Sequence, residues 1–91
     1  MANQWDEVGF VLGSKYRLSV LEQLYDGPST PSSIATDTGI NLSHVSRALQ
    51  QLREKELVEL LVSESRRKGR VYGITDPGES VYERIRFHGL N

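Results

Sequence analysis

The side chains best suited to chemistry are polar groups on one side of the segment from residue 41 to residue 50, with one hydroxyl in the segment before it. Arginine can form two hydrogen bonds with O6 and N7 of guanine, glutamine can pair with adenine, and short hydroxyls suit base edges or phosphate oxygens. The pattern favours nucleic-acid contact, with Arg47 as the strongest candidate; a solvated polar face is the alternative. The candidate residues are Ser32, Asn41, Ser43, His44, Ser46, Arg47 and Gln50.

A dense group of cations follows, with four Arg or Lys side chains within five residues. Cations at the tip of a hairpin suit phosphate contact, because neutralising phosphates releases condensed counterions. The alternatives are a solvated turn or a surface pairing with Glu64. Lys15 and Arg17 could touch backbone phosphates from an earlier segment, although such residues are more often solvated. The residues of the cationic group are Arg66, Arg67, Lys68 and Arg70.

Other chemistries find little support in the chain. It has no cysteine, and its two histidines, His44 and His88, are far apart and have no companion residue at metal-ligand spacing. No Ser–His–Asp arrangement, glycine-rich phosphate loop or convergent pair of carboxylates stands out. We therefore expect no metal, no cofactor and no enzymatic activity.

The polar and basic residues must be positioned by the segment from Thr30 to Leu57, which the sequence predicts to be two helices joined by a tight turn. Thr30 suits an N-cap and is followed by a proline at the first helical position, where its missing N–H costs nothing. Gly39 can take the left-handed conformation that ends a helix, and Asn41 can cap the next one. Apolar residues of the second helix recur at three- and four-residue intervals: Val45, Ala48, Leu49 and Leu52.

The rest of the chain predicts three further helices and a hairpin. A short helix is expected over residues 3–12, and a second one, capped by Ser14, ends near Asp26. After the helix pair the period becomes strand-like over residues 58–63 and 70–75, with a polar, glycine-ended turn between them. A final helix is expected over residues 77–88, with Val81 and Ile85 directed inward.

The motifs that characterise the chain, in the order of its elements, are residues 30–35 (TPSSIA), Gly39-Ile40, residues 45–49 (VSRAL), Leu52, Leu57-Val58, residues 67–70 (RKGR) and residues 72–75 (YGIT) before Pro77-Gly78. With this order of elements they resemble the winged helix-turn-helix transcription regulators, especially the compact archaeal ones and more distantly the ArsR and MarR types. The resemblance implies an α+β, mostly helical fold and a double-stranded DNA partner. It also implies a homodimer, with the second motif helix in the major groove and the basic hairpin, the wing, on the backbone or minor groove.

Apolar residues near the two ends predict a self-association surface. Two terminal helices with this much apolar surface are difficult to cover on a small domain, and a two-fold dimer would bury them. The alternative is that they cover the core of their own domain. The expected interface residues are Trp5, Val8, Leu12, Val81, Tyr82 and Ile85.

Length and charge are compatible with this interpretation. Ninety-one residues suit a single domain, residues 1–91, and the chain has no long apolar run and no signal-peptide pattern, so we expect a cytoplasmic protein without a membrane partner. The net charge is −1 overall but +3 within residues 41–70. The near-neutral total supports a rival hypothesis, a winged-helix module that binds another protein. A ligand-responsive sensor of the same fold is a second rival.

Overall fold

The computed structural model describes residues 4–62 and 69–89. Within them the chain forms five helices and one antiparallel pair of strands, which confirms the predicted α+β, mostly helical winged helix-turn-helix. The elements are α1 (Gln4–Leu12), α2 (Lys15–Asp26), α3 (Pro31–Thr38), α4 (Leu42–Glu54), β1 (Val58–Val62), β2 (Val71–Ile74) and α5 (Asp76–Phe87). Residues 1–3, 63–68 and 90–91 lie outside the described residues; they include the predicted helix start at residue 3, the predicted strand end at residue 63 and most of the predicted turn.

The predicted caps of the helix-turn-helix pair, α3 and α4, are all confirmed. The N–H of Ser33 donates to Thr30 Oγ1 at 3.1 Å, and Pro31 occupies the first turn of α3. Gly39 ends α3 in the left-handed region with φ of 73°. The N–H of Ser43 donates to Asn41 Oδ1 at 3.2 Å at the start of α4. Local hydrogen bonds thus fix both ends of the turn that orients α4.

Helix α2 lies at the centre of the domain and packs against all four other helices and β2. Its buried residues are Val20, Leu21 and Leu24, whereas Leu18 and Tyr25 are half-buried. The three- and four-residue spacing of apolar residues predicts an inner side made of Leu18, Leu21, Leu24 and Tyr25, and so it misses Val20. A helix covered from several directions buries more than one stripe, and the apolar period alone does not show this.

Strands β1 and β2 pair in register Val58↔Ile74 and Leu60↔Tyr72, and the register shifts between Leu60 and Val62. The loop before α3 joins this sheet at one position. The N–H of Ser29 donates to the carbonyl of Tyr72 at 3.0 Å, and the N–H of Tyr72 donates back at 2.9 Å. This bridge holds the start of α3 beside β2.

The terminal helices are more fully covered than the sequence suggested, which corrects part of the predicted interface. Val8, Val81, Tyr82 and Ile85 are no more than 3% exposed and belong to the chain's own core. Helices α1 and α5 pack against each other and against α2, so their apolar stripes face inward. Side chains already buried in one chain offer no surface to a partner. Only Trp5 and Leu12 of the six predicted residues are exposed, at 43% and 36%.

Helix α4 is connected to α5 through a tight junction. The Thr75 hydroxyl donates to the carbonyl of Glu56 at 2.7 Å and accepts the N–H of Gly78 at 3.0 Å. Gly78 is buried, and a Cβ at this position would collide with the carbonyl oxygen of Leu57. The junction therefore requires glycine for a close approach of two backbones.

Candidate nucleic-acid interface

Helix α4 presents the predicted polar residues on its outer side. Its apolar residues Val45, Ala48, Leu49 and Leu52 are buried, so the helix cannot rotate without exposing its core face. The exposed residues on the other side are Ser43, His44, Ser46, Arg47 and Gln50. They cover just over two helical turns and carry donors and acceptors suited to base edges and phosphates.

Asn41 has a structural role that accounts for its side chain. Its Oδ1 accepts hydrogen bonds from the N–H and from the hydroxyl of Ser43, both at 3.2 Å. Both residues are exposed at the first turn of α4. Contact of either one with DNA stays a prediction. Ser32 is exposed in the first turn of α3, and its contact with DNA also stays a prediction.

His44 is held by an aromatic partner that the sequence did not reveal. Its imidazole ring stacks on the ring of Tyr16 in α2, with the ring centroids 4.4 Å apart and the planes 7° from parallel. Lys15 Nζ lies 5.6 Å from the centroid of the same tyrosine ring. The pair borders a surface groove of about 470 Å³ between α2 and the turn of the motif. No local sequence signal links residues this far apart.

Arg17 is engaged within the domain, so it is a poor candidate for the phosphate contact considered from the sequence. Its Nε donates to the carbonyl of Phe10 at 2.7 Å, and its Nη1 donates to Oε1 of Gln51 at 3.0 Å. Its guanidinium also lies 4.1 Å from the centre of the Phe10 ring. Lys55 Nζ lies 5.3 Å from that ring centre. These contacts connect α1, α2 and α4.

A cleft borders the other side of α4, where α3 and β2 approach it. We call it the α4–β2 cleft; its volume is about 270 Å³. Arg53, which the sequence analysis did not include, lies here with two predicted residues of α4 and with Arg70. Its spacing of three residues after Gln50 and seven after Ser46 was the available signal, because such residues share one helical stripe. The lining residues are Pro31, Ser46, Leu49, Gln50, Arg53, Arg70 and Tyr72.

Of the four cations in the predicted basic wing, one lies among the described residues. Arg70 is exposed directly before β2. Arg66, Arg67 and Lys68 lie outside the described residues. Their contact with DNA stays a prediction.

The pronounced pKa shifts lie away from this surface, between α2 and α5. Burial, together with the hydrogen bond that its hydroxyl donates to Glu22 at 3.0 Å, raises the pKa of Tyr82 to about 12. A hydrogen bond of 2.8 Å to Glu83 raises the pKa of Tyr25. The two tyrosine rings lie 4.8 Å apart. We interpret this cluster as a connection between helices, because its tyrosines are kept protonated and engaged.

Exposed apolar residues at the chain ends form a smaller surface than predicted. Phe87 is 81% exposed and adds to Trp5 and Leu12. Trp5 makes an edge contact with His88 at 5.2 Å between ring centroids, and Arg84 lies 5.4 Å from its ring centre. Arg84 Nε also donates to Oε1 of Gln4 at 2.6 Å. We call Trp5, Leu12 and Phe87 the terminal apolar surface.

Two other kinds of site were sought in the described part of the chain. In residues 4–62 and 69–89, no three His, Asp or Glu side chains form a group that could hold a metal ion. No helix among these residues has the length and apolar composition needed to cross a bilayer.

Comparison with protein families gives one match over most of the chain. The family model described as the HVO_A0261 N-terminal domain matches residues 5–88. No curated protein matches the chain by sequence.

Solved structures give matches to the fold. They include a ZitR variant from Lactococcus lactis, with 22% identity and a TM-score of 0.74 over 85% of this chain and 53% of that chain. BpsR from Bordetella bronchiseptica matches with 18% identity and a TM-score of 0.76, over 85% and 59% of the two chains. The MarR family transcription regulator SP03579 matches with 20% identity and a TM-score of 0.78, over 92% and 57%. At these identities the likeness establishes a MarR-like winged-helix fold, and this chain spans a little over half the length of those proteins.

Proposed function

This chain belongs to the HVO_A0261 N-terminal domain family, and from its MarR-like winged-helix fold we propose that it is a transcription regulator that binds double-stranded DNA. In this proposal it acts in the cytoplasm as a homodimer, with α4 in the major groove and the basic hairpin on the backbone or minor groove. The observation that carries the proposal is the outer side of α4. Its polar residues are held outward by four buried apolar residues and by caps at both ends of the preceding turn.

The middle of α4 is the proposed reading surface. Arg47 is exposed and is not engaged by another described side chain, unlike Arg17. An unengaged guanidinium on the outer side of a helix can reach O6 and N7 of guanine once the helix lies in the major groove. Ser43 lies one turn earlier on the same side and supplies a hydroxyl for a base edge or a phosphate.

The wing supplies the proposed backbone affinity. Arg66, Arg67 and Lys68 occupy three consecutive positions, and Arg70 follows directly before β2. Cations so close together repel one another, and phosphates relieve that repulsion while releasing counterions. This electrostatic contribution does not depend on the DNA sequence, so it raises the affinity for all DNA. The local charge of +3 across residues 41–70 outweighs the slightly negative total in deciding where DNA approaches.

The terminal apolar surface is the proposed contact between two copies. Trp5 and Leu12 on α1 and Phe87 on α5 are large apolar residues that are exposed. A two-fold arrangement that buries them would place two α4 helices to read two half-sites, about one DNA turn apart. In each copy, α1 and α5 would be held in place by their buried core residues, which are Val8, Val81, Tyr82 and Ile85.

The decisive experiment is fluorescence anisotropy with a labelled duplex of random sequence, repeated across a salt series. Binding that weakens steeply with salt supports the proposal, and the slope estimates the number of phosphates neutralised. A search for the specific site by selection from a random pool then follows. No binding even at low salt would contradict DNA binding and would favour the protein-interaction module.

A further inference from the structure

We propose that the α4–β2 cleft binds a backbone phosphate of DNA and that Arg53, together with Arg70, supplies the positive charge. This inference rests on the proposed function and adds to it a defined anion site and a contact residue, Arg53, outside the predicted reading set. It also divides the outer side of α4 into two stripes with different tasks. One stripe reads bases, and the other fixes the backbone.

The first observation behind the proposal is that one stripe of α4 faces the α4–β2 cleft. Ser46, Gln50 and Arg53 follow one another on successive turns, so they form one stripe that faces the cleft. Leu49 lies among them as a buried residue and fixes the rotation of the helix. The stripe is distinct from the one that holds Ser43 and Arg47, which do not line the cleft.

The opposite wall of the cleft is held in place by backbone hydrogen bonds. Tyr72 pairs with Ser29 through two hydrogen bonds of 2.9 and 3.0 Å, and Pro31 begins α3 two residues later. Tyr72 is itself only 8% exposed. Paired backbone therefore fixes one wall of the cleft, and the other wall is a helix whose rotation is fixed by the buried Leu49. A site with fixed walls binds with less loss of side-chain and backbone freedom than a flexible one.

The second observation behind the proposal is the positive charge of the residues that line the cleft. The described residues that line it include two arginines and no Asp or Glu. Within the described part of the chain, the guanidinium groups of Arg53 and Arg70 make no hydrogen bond and no ion pair. Arg17 and Arg84, by contrast, both donate to oxygen atoms of the domain. Two unengaged cations beside one cleft attract an anion, and the polar groups of Ser46 and Gln50 add hydrogen-bond donors for phosphate oxygens.

A competing role for Arg53 is visible on its other side. There it borders a second groove, which is also lined by Glu56 and Glu59. If its charge served only to balance these two carboxylates, its removal would affect folding stability rather than DNA binding. The two roles therefore predict different measurements.

The experiment compares the wild-type chain with Arg53→Gln, Arg53→Lys and a control, Arg86→Gln, using a random duplex across a salt series. Arg86 is exposed on α5 and does not line the cleft, so the control removes the same charge elsewhere. We expect Arg53→Gln to lower the magnitude of the slope of log K against log salt by about 0.9 for each chain bound, the value for one phosphate, and so by about 1.8 for the homodimer. Affinity at moderate salt should fall on the order of fivefold for each chain bound, since each loses one charge-assisted contact. Arg53→Lys should keep most of the slope, and Arg86→Gln should leave it unchanged.

The outcomes separate the cleft from the proposed function. If the wild-type chain binds DNA with a steep slope and Arg53→Gln keeps that slope, the cleft proposal is overturned while DNA binding stands. A fall in melting temperature with an unchanged slope would assign Arg53 to Glu56 and Glu59 and would also overturn it. If the wild-type chain binds no DNA, the proposed function fails, and the cleft assignment fails with it.

Discussion

The imidazole of His44 and the phenol ring of Tyr16 stack almost in parallel, 4.4 Å between centroids and 7° between planes. The stack joins the first turn of α2 to the first turn of α4 across a gap of 28 residues in the sequence. The stack holds the exposed start of α4 against α2, whereas the buried residues of α4 pack against the core. Its loss should therefore affect both folding stability and the placement of the proposed reading surface.

Tyr16→Leu tests this support. We expect the free energy of unfolding to fall by about 1 kcal/mol, the worth of an aromatic pair beyond its buried area. Tyr16→Phe keeps the ring and should remain close to wild type. Chemical denaturation measures both variants. The support is refuted if Tyr16→Leu and Tyr16→Phe unfold at the same denaturant concentration.

Arg47→Ala tests the proposed reading surface. We expect it to lower affinity for the selected site by about tenfold or more, with little change for random DNA, because a bidentate arginine–guanine pair contributes about 1–3 kcal/mol of discrimination. The triple variant Arg66→Gln, Arg67→Gln and Lys68→Gln should instead weaken binding to both duplexes by similar factors and flatten the salt slope. Competition anisotropy with the two duplexes measures the difference. An Arg47→Ala variant that keeps full preference for the site would show that another surface reads it.

Phe87→Ser tests the terminal apolar surface. Each copy would lose a large aromatic side chain from the proposed interface, so we expect self-association to weaken by at least about tenfold. Val62→Ser is the matched control, because Val62 is also apolar and exposed but lies on β1. Sedimentation velocity across a concentration series gives the dissociation constants. Equal constants for Phe87→Ser and wild type would place the interface elsewhere.

Gly78→Ala tests the junction between α4 and α5. The new Cβ would collide with the backbone carbonyl of Leu57, which cannot move without disturbing the start of β1. We expect a loss of about 2–3 kcal/mol in the free energy of unfolding. Gly9→Ala is the control, because its Cβ would meet no atom within 4 Å. Since Gly9 lies within α1, that change should stabilise the chain by about 0.5–1 kcal/mol. Thermal unfolding that ranks the two variants the other way would contradict the described junction.

The raised pKa of Tyr82 predicts that the folded chain loses stability in alkaline solution. Its pKa of about 12 in the folded chain lies above the ordinary value of 10.0, so the unfolded chain releases this proton first as pH rises. The contribution to stability is fully present below pH 10 and should fall on the order of 2 kcal/mol as pH rises toward 12. Tyr82→Phe should reduce this dependence. Urea denaturation between pH 9 and pH 11.5 compares the two proteins, and identical pH dependence would contradict the prediction.

Features set by local chemistry could be predicted from the sequence, and features set by helix crossings could not. Thr30, Gly39 and Asn41 act within three or four residues of their own position, so their residue types are sufficient evidence for the caps. Arg17 and Gln51 are 34 residues apart, and their hydrogen bond depends on how α2 crosses α4.

The same limit explains the correction at the chain ends. An apolar stripe shows that a helix has a face to bury, but it does not show what covers that face. Val81 and Ile85 are covered by the other helices of their own chain, and among the described residues of α1 and α5 the large apolar residues left exposed are Trp5, Leu12 and Phe87. Arg53 was missed for a related reason, because a charged residue in the last turn of a helix is usually solvated.

The contacts of Arg17 have a consequence for the spacing of DNA sites. Through Phe10 and Gln51 this residue links α1, which carries part of the terminal apolar surface, directly to the last turn of α4. In the proposed dimer, the distance and angle between the two reading helices would then be set by rigid contacts rather than by a hinge. Such a dimer fixes the separation of the two half-sites that it can bind. One base pair inserted between the half-sites turns one of them by about 35° and shifts it by about 3.4 Å, so the protein should accept a single spacing and reject its neighbours.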